Sequence, residues 1–221
     1  MQERKNKLNT KSFAVLGMLS AIAFIAKLIS SVFPMVSGFL SFDLKDVIIV
    51  ITGFMMGPLA SVLVTVVVSF VEMVTISSTG PIGFVMNVLA SSAFACTASL
   101  IYHRNRKMSG AVTGLVSGVL AMTAVMILWN WLITPIYMGV PREVVEGMLL
   151  PVFLPFNLIK GGINATLAML LYKPIVDALR KAKLLEEGGA GKRTTKWGVI
   201  AVSLVLLVTF ILLGLVMAGV I

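Results

Sequence analysis

The stretch from Ser109 to Ile133 reads SGAVTGLVSGVLAMTAVMILWNWLI and carries no charged side chain. As an α-helix it is long enough to cross the hydrocarbon core of a bilayer, about 30 Å thick, because each residue advances the helix by about 1.5 Å. Its apolar residues do not alternate with polar ones, as they would in a strand of a transmembrane barrel. This stretch is therefore predicted to be a membrane-spanning helix.

Similar apolar runs recur along the whole chain. Of its 221 residues, 58% are hydrophobic and 12% are charged, whereas soluble domains are roughly 45–50% apolar. We therefore predict an all-α integral membrane protein, a six-helix bundle plus a seventh C-terminal transmembrane helix. The predicted segments are Ser12–Phe33, Val47–Met56, Leu59–Ile76, Ile82–Tyr102, Ser109–Ile133, Pro155–Tyr172 and Trp197–Ile221. Gly57-Pro58 predicts a tight turn between the second and third segments, although one long kinked helix is the alternative.

Composition divides the chain into three parts. Residues 1–180 form the six-helix membrane core, residues 181–196 a basic, glycine-rich cytoplasmic linker, and residues 197–221 the extra C-terminal transmembrane helix. Glycine gives such a linker its freedom. The last segment has almost no polar residue with which to contribute chemistry, and the sequence assigns it no role.

The basic residues predict the orientation in the membrane. Cytoplasmic loops carry an excess of lysine and arginine, and the chain has 18 such residues. With the N-terminus in the cytoplasm, all fall on the cytoplasmic side except Lys45 and Arg142, placed in outer loops, and Lys27 and Lys160, placed within spans. We expect a multi-pass cell-membrane protein whose net charge of +9 reflects topology and not a nucleic-acid partner. The outer acidic residues, Asp43, Asp46, Glu72, Glu143 and Glu146, predict a mildly acidic rim.

Motifs of enzymes are missing from the sequence. It contains no His-Glu-x-x-His, no Gly-x-Ser-x-Gly and no phosphate-binding loop. Cys96 has no second cysteine, and His103 lacks the spaced partners of a zinc site. We predict a protein that is not an enzyme and has no cofactor or metal, so any active transport would draw energy from a partner protein or an ion gradient.

The run LPFNLIKGGIN at residues 154–164 places polar groups on one helix face. Asn157, Lys160, Gly161 and Asn164 stand at i, i+3, i+4 and i+7. An ammonium within a span is costly, so it should face the bundle interior or a wet cavity and mark a binding site. The alternative is that Lys160 snorkels to the outer interface while the two asparagines join helices.

Asn130 is a second amide within a predicted span, between Trp129 and Trp131. The two tryptophans are also typical of a membrane interface. The amide needs both a donor and an acceptor, and leaving either without a partner in hydrocarbon is costly. Asn130 is therefore a candidate ligand contact.

A third candidate is the outer loop at residues 77–83, which contains Thr79 and Gly80 and is followed by Asn87. Glycine permits close approach of a ligand and hydroxyls suit a polyol, but the same residue types are ordinary turn formers. Asp43 either caps the second helix or contacts the ligand. Together these residues predict an apolar pocket on the outer side, suited to a flat heteroaromatic with an imide edge and a hydroxylated tail.

The first helix carries a stripe of small residues, Ala14, Gly17 and Ala21. Small residues let another helix approach closely. The stripe predicts either packing within the chain or docking to a second membrane protein.

At these residues the sequence resembles the riboflavin-specific S-components of energy-coupling-factor (ECF) transporters. The resemblance covers roughly residues 10–180, and its most specific motif is Pro155-Phe156-Asn157-Leu158-Ile159-Lys160-Gly161. The looser motifs are FDLKD at 42–46, GFMMGP at 53–58, STGPIG at 78–83 with Asn87, and Asn130 ahead of PIY at 135–137.

The resemblance implies a six-helix protein that binds riboflavin as its transported ligand and associates with a transmembrane T-component and two ABC-type ATPases. It implies that Asn130, Asn157 and Lys160 bond the polar edge of the isoalloxazine, while Gly80, its loop and Asn87 help to enclose the ligand. It also implies that the small-residue stripe docks the T-component, although Gly17 stands where the family has an alanine. The seventh segment departs from the family pattern. Another vitamin, or a stand-alone ion-coupled carrier, remains the alternative function.

Overall fold

The structure of this chain is a computed structural model that describes residues 10–182, 184 and 197–221. Within these ranges the chain forms nine α-helices and one π-helical turn. The helices are α1 (Thr10–Ser30), α2 (Lys45–Met56), α3 (Pro58–Thr75), α4 (Gly80–Arg104), α5 (Met108–Leu132), α6 (Thr134–Met138), α7 (Arg142–Met148), α8 (Leu154–Lys181) and α9 (Trp197–Met217). The π-helical turn, Leu149–Phe153, leads from α7 into α8.

Each predicted segment coincides with a helix, so the prediction of an all-α membrane protein is confirmed. Six stretches in the described ranges are long and apolar enough to cross a membrane: α1, α3, α4, α5, the stretch Arg142–Lys181 and α9. The exception among the predicted segments is α2, whose 12 residues span only about 18 Å. Most of the predicted linker, residues 181–196, lies outside the described residues.

The last helix of the core extends beyond its predicted end. The apolar run stops at Tyr172, but α8 continues through Pro174 to Lys181. Apolar composition marks where a helix leaves the hydrocarbon, whereas a helix can continue into water on its own backbone hydrogen bonds. The short helices α6 and α7 were not predicted, because each has too few residues to show a helical period.

The turn between α2 and α3 is as predicted, and the single kinked helix is excluded. Gly57 has φ of +100°, a conformation that favours glycine. Pro58 is the first residue of α3, where its missing N–H costs no hydrogen bond. The Gly57 N–H closes α2 by donating to the carbonyl oxygen of Gly53 at 2.9 Å.

Helix α2 is the central element of the bundle. Its residues from Lys45 to Phe54 are all buried, and it packs against α1, α3, α4 and α8. A helix that is apolar on all faces is stable only when other helices surround it. The short central helix therefore begins and ends inside the protein.

Among the described helices α4 and α5 pack against each other most extensively, and glycine lets their backbones approach closely. A Cβ atom at Gly114 would lie 2.6 Å from the carbonyl oxygen of Ala98, and one at Gly118 would lie 2.6 Å from that of Phe94. Such approach of two backbones is the usual role of small residues in membrane helices.

The segment between α1 and α2, residues 31–44, folds back into the bundle. It contains a tight turn in which Ser37 and Gly38 have positive φ. Its buried Val36 and Phe42 pack against Phe156 of α8. This segment therefore covers the end of the bundle where α1 and α3 finish and α8 begins, which we call the cavity end.

Candidate ligand-binding site

A cavity of about 550 Å³ opens at the cavity end. Its walls come from α1, the 31–44 segment, α3, the turn after α3, α4, α5, α6 and α8. Small-molecule pockets in proteins typically measure about 300–1,000 Å³. The size and the mixture of apolar and polar walls suit a small organic ligand.

Most of the predicted ligand contacts lie on the wall of this cavity. They are Asp43, Thr79, Asn87, Asn130, Asn157 and Lys160. These six residues come from five separate parts of the chain, and only the tertiary fold brings them to one space. Gly80 is different: among the described residues that line the cavity it does not appear. Its φ of +55° shows that it serves the turn that starts α4.

The two amides are held by hydrogen bonds to residues four positions away along the chain. Asn130 is buried; its Nδ2 donates to the carbonyl oxygen of Met126 at 2.7 Å, and its Oδ1 accepts from the hydroxyl of Thr134 at 2.8 Å. Asn157 is also buried, and its Nδ2 donates to the carbonyl oxygen of Phe153 at 2.8 Å. Within the described part of the chain, Asn157 Oδ1 receives no hydrogen bond. Asn130 is thus oriented by two hydrogen bonds and Asn157 by one, and each amide keeps hydrogen-bonding capacity for a ligand.

Lys160 lines the cavity and is partly buried. None of the carboxylates in the described ranges approaches its Nζ as an ion pair, unlike those beside Lys27 and Lys45. An ammonium in this position needs oxygen partners. Its place on the cavity wall supports the interpretation as a site residue over snorkelling to the interface.

Asn164, on the same face of α8, has a structural contact. Its Nδ2 donates to the backbone oxygens of Asp43, at 2.9 Å, and Lys160, at 3.0 Å. Asn164 is buried and does not line the cavity. It therefore ties the 31–44 segment to α8 beside the ligand space.

Four charged residues, three of which line the cavity, form a ring that was not predicted from the sequence. Lys27 Nζ lies 3.6 Å from Asp43 Oδ2 and 3.4 Å from Glu72 Oε1. Lys45 Nζ lies 3.1 Å from Asp43 Oδ2 and is also hydrogen-bonded to Glu72 Oε2. All four residues are buried. We call Lys27, Asp43, Lys45 and Glu72 the charge ring.

The buried charges in this region correct two predictions. Lys45 is not in an outer loop but is the first residue of α2, and it is completely buried. Asp43 and Glu72, together with Asp46, are buried and do not form an acidic rim. The reason is that the 31–44 segment descends into the bundle, so that the short α2 starts within it. Lys27 could have indicated this site from the sequence, because an ammonium within a membrane span is as costly at Lys27 as it is at Lys160.

Asp43 was expected to cap α2 or to contact ligand. Its Oδ1 accepts a hydrogen bond from the backbone N–H of Lys45 at 3.3 Å, as a capping side chain would. The position before α2, however, is Leu44, without a side-chain cap. The Asp43 carboxylate lies between the ammonium groups of Lys27 and Lys45. Its main contacts are therefore within the charge ring.

The turn after α3 presents hydroxyl groups to the cavity. Thr79 Oγ1 lies 3.0 Å from Ser77 Oγ, and the Thr79 N–H donates to Ser77 Oγ at 3.2 Å. A Cβ atom at Gly83 would lie 1.8 Å from Thr79 Oγ1. Glycine is required at position 83, so that the Thr79 hydroxyl can lie against α4.

The small-residue stripe on α1 is exposed along its length, at Ala14, Gly17 and Ala21. No described atom lies within 4 Å of a Cβ atom built at Gly17. In the described part of the chain the stripe is therefore not used for internal packing, and docking to a second membrane protein stays a prediction.

Comparison with known proteins places the chain in a family. The family model described as "ECF transporter, substrate-specific component" matches residues 11–172. The chain belongs to the ECF transporter substrate-specific components. This confirms the resemblance, and because the family is one of transporter components, the protein is not an enzyme. Helix α9 lies beyond the matched residues.

Individual relatives agree with the family. Riboflavin transporter RibU of Staphylococcus aureus is 28% identical over 186 residues, covering 81% of this chain and 98% of the relative. Riboflavin transporter FmnP of Bacillus subtilis is 28% identical over 189 residues, covering 80% of this chain and 100% of the relative. A solved structure described as the S component of a bacterial ECF transporter is 30% identical, with a TM-score of 0.66, covering 79% of this chain and 99% of that one.

Proposed function

We propose that this S-component binds riboflavin, captures it from outside the cell and delivers it for ATP-driven import by partner subunits. The proposal is supported by the relatives, which are named as riboflavin transporters. The observation that carries it in this chain is the convergence of Asn130, Asn157 and Lys160 on the wall of one cavity. The membrane core, residues 1–180, is on this proposal the substrate-binding part.

The chemistry of the cavity matches the two ends of riboflavin. The pyrimidine edge of the isoalloxazine alternates acceptors with an imide N–H, and amides can both accept and donate while an ammonium donates. The free Oδ1 of Asn157 would take the imide N–H, and Lys160 would donate to a ring carbonyl. Met122, Met126 and Trp129 supply apolar wall for the flat ring. The ribityl hydroxyls would find partners at Thr79, Asn87 and the charge ring.

Energy for transport would come from other subunits, a T-component and two ABC-type ATPases. The exposed stripe at Ala14, Gly17 and Ala21 is the surface we propose for the T-component, since it allows another helix to approach closely. The positive-inside pattern supports a cytoplasmic N-terminus. Helix α1 then starts inside and ends outside, so the cavity end faces the exterior.

An ion-coupled carrier is the second function to consider, because the structure places acidic residues inside the protein. Such carriers use intramembrane carboxylates that can bind a proton or a metal ion. In this chain Asp43 and Glu72 are each bridged by two lysines, and Asp46 accepts a hydrogen bond from Ser91. These carboxylates are already neutralised or held, and the family membership favours the S-component.

The test is a riboflavin titration of the purified full chain, freed of ligand in detergent. Binding quenches flavin fluorescence, and one-to-one quenching is expected. Lys160→Ala should weaken binding by roughly tenfold or more, since a hydrogen bond to a charged group contributes about 1.5–3 kcal/mol. Asn157→Ala should weaken binding by roughly two- to tenfold, since a hydrogen bond between neutral groups contributes about 0.5–1.5 kcal/mol.

The matched controls are Lys107→Ala and Asn105→Ala, because both residues are exposed and lie at the other end of α4. These variants should bind as the unchanged protein does. A folded protein that leaves riboflavin fluorescence unchanged would exclude riboflavin and call for a panel of other vitamins.

A further inference from the structure

Helix α9 is the part of this chain that the family match leaves without a role. One face of α9 packs on the core, at Ser203, Leu207, Phe210, Gly214 and Met217, which are buried or partly buried. These positions recur every three or four residues, so they form one stripe on the helix. The other faces of α9 are exposed, as expected for a helix in contact with lipid. The packing is therefore specific and one-sided.

Two close contacts fix α9 against the core. The ring of Phe210 lies over Gly162 of α8, where a Cβ atom would be 2.5 Å from the ring. At the second contact the ring of Phe42 lies against Gly214, where a Cβ atom would be 3.0 Å away. In each case a phenyl ring fits against a glycine. Contacts of this kind lock the position of the helix along its axis, because a shift by one residue would bring a side chain into the ring.

These contacts lie directly behind the ligand cavity. Phe42 and Phe156 are buried and pair with ring centroids 5.3 Å apart; we call them the aromatic wall. Phe210, Leu207 and Met217 pack on the cluster that contains this wall. Phe156 itself lines the cavity, and the next residues along the chain, Asp43 and Asn157, line it too. Only one layer of side chains separates α9 from the ligand space.

We propose that α9 is a positioning element of the binding site: Phe210 and Gly214 hold the aromatic wall, and with it the 31–44 segment, in the arrangement that covers the cavity end. This inference rests on the proposed riboflavin binding. The segment that covers the cavity is joined to α8 by the Asn164 hydrogen bond to Asp43 and by the packing of Val36 and Phe42 on Phe156. The packing of α9 against the aromatic wall adds to these contacts. Loss of that packing should let the 31–44 segment move away from the cavity and so raise the rate of ligand dissociation.

The experiment measures riboflavin association and dissociation rates of the full chain by stopped-flow fluorescence. Phe210→Ala should raise the dissociation rate by about three- to tenfold and leave the association rate nearly unchanged, since changes in affinity among variants lie mostly in dissociation. Leu212→Ala, on the exposed face of the same helix, is the matched control and should leave both rates unchanged. Phe210→Leu should give an intermediate rate, and it keeps the test decisive if Phe210→Ala does not fold.

A double-mutant cycle separates positioning from general loss of stability. Gly162→Ala puts a methyl group into the Phe210 ring and should also speed dissociation. In the Phe210→Ala background the methyl group has room, so the same substitution should have a much smaller effect.

Additive effects, or an equal effect of Leu212→Ala, would overturn the positioning role while riboflavin binding stands. A full chain that binds no riboflavin at all would instead refute the proposed function, and this inference with it.

Discussion

Replacing Lys45 with methionine removes one corner of the charge ring and leaves the rest in place. Lys45 is fully buried and bridges Asp43 and Glu72. Methionine has nearly the same length and no charge, so packing is largely kept. After the substitution two buried carboxylates share the single ammonium of Lys27, at 3.6 and 3.4 Å. Removing one partner of a buried ion pair costs about 3–5 kcal/mol.

The assay is thermal unfolding of the detergent-solubilised protein without ligand. For a chain of this size 1 kcal/mol corresponds to about 2–4 °C, so Lys45→Met should lower the melting temperature by roughly 10 °C. Lys107→Met is the matched control, because Lys107 is exposed, and should melt with the unchanged protein. Riboflavin affinity should fall as well, since three members of the ring line the cavity.

A second substitution checks that the loss is electrostatic. Glu72→Gln in the Lys45→Met background removes the extra negative charge and should recover part of the lost melting temperature, because replacing a whole buried pair costs less than breaking it. If Lys45→Met melts within about 2 °C of the unchanged protein, the ring does not stabilise the start of α2 and the magnitudes above are wrong.

Three further predictions follow from single contacts. Gly17→Leu should abolish riboflavin uptake by the assembled transporter, while the isolated chain should still bind riboflavin. The control Gly198→Leu, at another exposed helical glycine, should change neither uptake nor binding. Normal uptake by Gly17→Leu would contradict docking at the stripe. Gly114→Val should lower the melting temperature by several degrees, because the valine side chain would meet the backbone of α4. The control Gly147→Val should leave the melting temperature unchanged, because a Cβ atom at Gly147 meets no described atom within 4 Å. Equal melting temperatures of the two variants would refute the close approach of α4 and α5. Asn164→Leu should raise the riboflavin dissociation rate, measured by stopped flow, because the hydrogen bond to the Asp43 backbone is lost; an unchanged rate would show that this bond does not hold the 31–44 segment.

Much of the helix pattern could be predicted from the sequence, because a membrane span must be long, apolar and internally hydrogen-bonded. The errors lie where this rule does not apply. Helix α2 begins inside the protein, so Lys45 and Asp46 appeared to be loop residues when they are buried. Helix α8 continues into a charged stretch, and there the apolar signal ends before the helix does.

The candidate site was predictable in part, for a similar reason. Asn130, Asn157 and Lys160 were found because polar groups within a span are costly and must be explained. Lys27 satisfied the same criterion and was overlooked. Its partners Asp43 and Glu72 lie far apart along the chain, and no local pattern shows that they meet. Gly80 lies in the turn that starts α4, next to Thr79 on the cavity wall, and its contact with a ligand stays a prediction.

The sequence by itself determined the membrane environment, the number and order of the long helices, and the polar face of α8, because these follow from the periodicity and the cost of burying polar groups. The tertiary structure alone decided how residues distant along the chain combine: the charge ring, the cavity and the contacts of α9 with the aromatic wall. The physical reason is that a buried charge or a glycine acquires its role from the group that it meets. That partner is selected by the packing of whole helices and not by neighbours in the chain.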